Sequence, residues 1–210
     1  MAKVHPAVAG AYDRGMRSEE IAIRAGDLKE PTLSDVQRQA RDYVVSNGIC
    51  TGYEYGAAIS GGKIIDRFTS SNPNRLKIPD YQGADSGSIE IHHNHPIGDS
   101  FSSGDFASLL SIQPIGSIVV HGHSGFFASA VRIGNSMQKN EAIAIGESVR
   151  SRAMSLVKKA LLRGDVSYED ASSGLWQVVA AMLLESDGLI AYTANSEKLM
   201  ELTKKVIGNV

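Results

Sequence analysis

Apolar positions recur along this chain in two rhythms, helical at the ends and strand-like in the middle. From Pro31-Thr32-Leu33-Ser34 onward, Val36, Ala40, Tyr43 and Val44 step at helical spacing, which predicts a helix closed by Gly48. Upstream, Ser18-Glu19-Glu20-Ile21 predicts another helix start with acids in its first turn. Gly56-Ala57-Ala58-Ile59 and Ile64-Ile65-Asp66-Arg67-Phe68 flank Gly61-Gly62 and predict a hairpin. Ser70 to Gly87, rich in Ser, Asn, Pro, Asp and Gly, predicts a long surface loop. A buried strand from Ser88 to about His93 and a helix from about Ser103 to Ser111 follow. Two more strands, Ser117 to His121 and Phe126 to Ile133, flank the turn Gly122-His123-Ser124-Gly125. From Met137 the helical rhythm returns. Ala142, Ile145, Val149, Ala153, Leu156 and Ala160 form one face that Gly164 ends. Ser167 caps a second helix carrying Leu175, Val178, Val179, Met182 and Leu183, and Asn195 caps a last one with Leu199, Leu202 and Val206.

This order predicts an α+β fold in three zones: a helical N-terminal extension over 1–48, a central sheet-and-helix domain over 49–135, and a helical C-terminal extension over 136–210. The apolar stripes of the terminal helices read as core, or as a surface for a partner or a second copy in a homo-oligomer.

Composition narrows the function classes. The chain has 210 residues, 42% hydrophobic and 21% charged, ordinary values for a globular protein. A formal net charge of -2 argues against a general nucleic-acid partner. The single cysteine, Cys50, excludes an intramolecular disulfide and a thiolate-rich zinc site, and reads as a small buried residue. No apolar run approaches the roughly 20 residues that span a bilayer, so no membrane partner is expected. The opening residues lack the apolar stretch of a secretory signal, and the expected compartment is cytoplasmic.

The candidate chemistry lies between Ile89 and Asp105. On a strand, alternate side chains share a face, so His93 and His95 point the same way, after Ile89 and Ile91. Pro96 stops the strand, and a helix starts near Ser103 with Asp105 in its first turn. A turn folding back over the strand end would bring Asp105 to the two imidazoles. Two nitrogens and one carboxylate oxygen suit zinc, with a fourth position left for water. Glu54, at the start of the first hairpin strand, is the candidate proton carrier. Ser102 is the candidate donor to an oxyanion. Ser102-Ser103-Gly104-Asp105 also reads as a capping box, with Phe101 and Phe106 as its hydrophobic staple.

Glu54 followed by a small-residue strand, then His93-Asn94-His95-Pro96, then Ser102-x-x-Asp105, resembles the signature of the JAMM (MPN+, JAB-like) zinc metalloproteases. The His-Asn-His-Pro wording is most similar to the RadC-like and phage or toxin-associated bacterial branches. The resemblance covers roughly residues 50 to 133. It implies a JAMM-like mixed sheet with packed helices and a zinc ion on His93, His95 and Asp105. It implies Glu54 serving the attacking water and Ser102 helping to hold the oxyanion. The implied activity is hydrolysis of an amide in a protein or peptide substrate, including the isopeptide bond of a ubiquitin-like conjugate. One departure is visible: the stretch between His95 and Ser102 is one residue shorter than the family's spacing.

Other readings stay open. Glu90 is the fallback base, and it and His92 face away from His93 and His95, toward solvent or a supporting layer. His121 and His123 end a strand near the same edge and read as loop histidines, with a supporting or substrate-facing role as the alternative, and Asp99 reads as a turn former. Two rival functions are a binding or assembly protein that keeps the fold without turnover, and a metal-dependent nuclease of the His-Asn-His kind.

Overall fold

The computed structural model describes residues 28–96 and 99–208. The helix start expected at Ser18 lies outside these residues. The architecture is α+β, and the described residues form a six-stranded mixed sheet and six helices. In chain order the elements are α1 (Asp35–Thr51), β1 (Tyr55–Ser60), β2 (Lys63–Thr69), β3 (Ile89–His95), α2 (Ser103–Ser111), β4 (Ile115–Gly122) and β5 (Phe127–Arg132). Then come α3 (Lys139–Arg163), α4 (Tyr168–Ser172), α5 (Leu175–Ser186), β6 (Ile190–Ala194) and α6 (Glu197–Gly208).

Across the sheet the strands run β2-β1-β3-β4-β5-β6. Only β3 and β4 are parallel, and α2 is the crossover between them. The remaining neighbours are antiparallel. The pleat divides β3 between two faces. Ile89 and Ile91 enter the main core with Phe106, Leu109 and Leu110 of α2, Val149 and Val157 of α3, and Val178 and Val179 of α5. On the other face, Ala40 and Val44 of α1 pack on Ala57 and Ile59 of β1. His93 and His95 therefore end on the α2 face, and Asn94 on the α1 face.

Local chemistry explains most boundaries. Ser34 caps α1 in a capping box with Gln37. The helix does not stop at Gly48. It runs on to Thr51 and closes at Gly52, in the left-handed region with φ 74°. Gly48 is a contact residue instead, because a Cβ there would lie 2.2 Å from Asn94 Nδ2. The crossing of α2 and α3 is equally tight: a Cβ on Gly146 would lie 2.7 Å from the carbonyl oxygen of Ser103. That approach seats the start of α2, which carries Asp105, directly on α3.

Three expectations need correction beyond residue 136. This region is not only helical, since β6 pairs with β5 and completes the sheet. The helix expected after Ser167 is two helices, separated at Gly174 with φ 82°. Asn195 is not a helix cap. Its Oδ1 accepts the Phe127 N–H and its Nδ2 donates to the carbonyls of Lys29 and Gly125, while Ser196 Oγ accepts the Leu199 N–H at the start of α6. Cys50 is exposed, near the end of α1. Among the described residues, no helix is long and apolar enough to cross a membrane.

Candidate metal centre

Strand β3 ends with two imidazoles on one face. His93 is fully buried and His95 is 5% exposed. Their Nε2 atoms are 3.0 Å apart. Asp105 arrives from the first turn of α2, with Oδ1 3.3 Å from His93 Nε2 and Oδ2 3.5 Å from His95 Nε2. The ligand atoms all lie within 4.8 Å of one another. This buried group could hold a metal ion.

The capping box places the carboxylate. Ser102 Oγ accepts the Asp105 N–H, and Asp105 Oδ2 accepts the N–H of Ser102. Phe101 and Phe106 meet at a centroid distance of 5.6 Å and staple the turn. The capping and the ligand readings of this helix start thus hold together. The Ser102 hydroxyl donates to Asp105 Oδ2 at 2.8 Å, so here it holds the carboxylate rather than pointing freely into the cleft.

Glu54 reaches the site through register. Gly56 pairs with His93 across β1 and β3, and continuing that antiparallel register by two residues sets Glu54 opposite His95. Its carboxylate lines the same cleft, about 1230 Å³, as His95, Asp99, Ser102 and Asp105. The long loop after β2, from Pro73 to Asp80, forms one wall, and the outer face of α2 forms the other. Burial pushes Glu54 up to about 7, the Asp105 and Asp99 charges adding to the rise and His95 opposing it.

Asn94 lies between the two histidines but faces α1, and it clamps the chain around Glu54. The Tyr55 N–H donates to Asn94 Oδ1 at 2.7 Å, and Asn94 Nδ2 donates to the Tyr53 carbonyl at 3.1 Å. The second amide hydrogen is aimed at His123 Nε2, 3.0 Å away. The peptides on both sides of Glu54 are therefore tied to the strand that carries the imidazoles. Thr69 Oγ1 adds a bond to the Glu54 carbonyl.

Asp99 does more than form a turn. His95 Nδ1 donates to Asp99 Oδ1 at 2.8 Å, which turns Nε2 toward His93 and Asp105. Burial opposes charge on His95, but the Asp99 and Asp105 carboxylates outweigh it and hold its pKa well above the ordinary imidazole value. Burial likewise opposes charge on Asp105, and the two histidines reverse the balance and hold it well below the usual carboxylate range. His93 goes the other way, lowered chiefly by burial, and its Nδ1 is buried without a hydrogen-bond partner.

Glu90 is excluded as the base by position, since it sits on the opposite face of the sheet. There it accepts from His92 Nε2 at 2.7 Å and from Gln37 Nε2 of α1 at 2.9 Å. His92 Nδ1 lies 2.9 Å from His121 Nε2, and the two rings stack. Both rings are buried, so His92 is not solvent-facing and His121 is not a loop histidine. This chain of polar groups docks α1 on the sheet.

No family model matches the chain, and neither a curated protein nor a solved structure gives a match.

Proposed function

We propose that this chain is a zinc-dependent metallopeptidase of the JAMM type, hydrolysing a peptide or isopeptide amide bond. One observation carries the reading: His93, His95 and Asp105 converge at the floor of a cleft that His95 and Asp105 line together with the buried Glu54. The donor set fits zinc. Tetrahedral zinc with ligands at 2.0–2.1 Å spaces them about 3.3 Å apart, and the contacts here are 3.0, 3.3 and 3.5 Å. Three protein ligands leave one coordination position open, the pattern of catalytic rather than structural sites.

Zinc held by these residues would supply Lewis acidity to a water molecule and to an amide carbonyl. Glu54 takes one proton from the attacking water and returns it to the leaving nitrogen, so its carboxylate ends the cycle as it began. A carboxyl group poised near neutrality suits both halves of that transfer. Ser102 keeps Asp105 in place through its hydroxyl and its backbone N–H. A developing oxyanion competes with Asp105 for the same hydroxyl proton. The cleft between the Pro73–Asp80 loop and α2 is where this reading puts the protein or peptide chain that is cut.

Zinc content and hydrolysis of a peptide library and of ubiquitin-like conjugates, compared between wild type and Glu54→Gln, test the proposal. The expected result is about one zinc per chain in both proteins, as a three-ligand site requires, and amide cleavage in wild type alone. Stoichiometric zinc without cleavage of any amide would favour an assembly role, and DNA cleavage alone would favour the nuclease.

A further inference from the structure

We infer that Gln177, on α5, is a positioning residue for the metal centre, acting through Asp99 on His95. The inference rests on the reading that His93, His95 and Asp105 hold the metal ion. Two hydrogen bonds carry it. His95 Nδ1 donates to Asp99 Oδ1 at 2.8 Å, and Gln177 Nε2 donates to Asp99 Oδ2 at 2.8 Å. Each carboxylate oxygen of Asp99 thus has its own donor, which fixes the plane of the carboxylate. That plane fixes the ring of His95, and with it the direction of the Nε2 lone pair.

Packing does not explain Gln177. It is 2% exposed in a helix whose other buried positions include Leu175, Val178, Val179, Leu183 and Leu184. Its Oε1 is buried without a hydrogen-bond partner. A methionine would fill the same space without leaving a buried acceptor unpaired. Among the described residues, the amide's one polar contact runs to Asp99, so the side chain is explained by what Asp99 does. Asp99 needs such an anchor because it sits on the connection between β3 and α2 rather than in a regular element. The outcome is that α5, 78 residues further along the chain than Asp99, helps to set the metal affinity.

The test uses the full chain, stripped and reloaded with zinc. Zinc affinity is measured by competition with a chromogenic chelator in wild type, Gln177→Met and His95→Ala, alongside thermal unfolding of the stripped proteins. The expected result is loss of binding in His95→Ala and roughly tenfold weaker binding in Gln177→Met, the scale of an outer-shell partner. The stripped Gln177→Met protein should unfold at or above the wild-type temperature. Wild-type zinc affinity in Gln177→Met beside lost binding in His95→Ala overturns the role of Gln177 and leaves the ligand set standing. Wild-type affinity in His95→Ala overturns the ligand set itself, and the inference with it. If Gln177→Met does not fold, Gln177→Leu is read in the same comparison.

Discussion

The side chain of Asn94 accepts a 2.7 Å hydrogen bond from the backbone N–H of Tyr55, the residue that follows Glu54. A residue between His93 and His95 thereby sets the position of Glu54, at the entry to the neighbouring strand. Asn94→Ala removes this bond and the one to Tyr53, leaving part-buried peptide groups without their partner at about 1 kcal/mol each. The variant should keep zinc, because His93 and His95 face the other way. Its kcat should fall by about a hundredfold, the scale of an ångström of misplacement. Zinc analysis beside steady-state kinetics checks this, and loss of zinc in step with activity would contradict it.

Gly48 should be intolerant of alanine. In an exposed helix interior, Gly→Ala gains about 1 kcal/mol. Here the added Cβ would lie 2.2 Å from Asn94 Nδ2 and 2.6 Å from His123 Nε2. Chemical denaturation should show Gly48→Ala less stable than wild type. Gly104→Ala on α2, whose Cβ would meet nothing closer than 3.5 Å, should show the ordinary helical gain.

Ser102→Ala should cost about 0.5–2 kcal/mol of stability through loss of the cap, because Ser102 Oγ accepts the Asp105 N–H at 3.2 Å. The same hydroxyl restrains Asp105 Oδ2, so chelator competition should also show weaker zinc binding. Equal zinc affinity with lowered stability would reduce Ser102 to a cap alone.

The buried carboxylate of Glu54 predicts a pH signature. Its folded pKa, pushed up by burial to about 7, lies above its unfolded value. The folded state therefore binds more protons between the two values, and stability falls as pH rises through that window. Urea unfolding of metal-stripped protein should show Glu54→Gln more stable than wild type at pH 8.5, with the gap closing by pH 5. A gap that does not change with pH would contradict the burial of this carboxylate.

Short-range chemistry was legible in the sequence and long-range pairing was not. Ser102 and Asp105 cap one another over a single turn, and His93 and His95 share a face through the pleat alone, so neighbouring residues reveal both. The turn reading of Asp99 missed its bonds to His95 and to distant Gln177, since the second depends on how α5 packs. β6 escaped notice because Ile190 to Ala194 spans only five residues between two helices, and its strand character depends on β5. Gly48 carried the mark of a helix end, but the close approach of Asn94 accounts for it equally well, and Gly52 closes the helix.

The alternation along β3 gives one strand two separate sides, the His93–His95–Asp105 group on one and the Asn94 bonds around Glu54 on the other. Inserting a single residue just before Glu90 would exchange these sides, with His92 where His93 stands, Asn94 where His95 stands and Glu90 in the core place of Ile91. Drift in length is thus barred from this strand, whereas the Pro73–Asp80 segment of the loop, beyond the Asn72 carbonyl that holds the Glu54 N–H, is where a change in length would reshape the cleft wall.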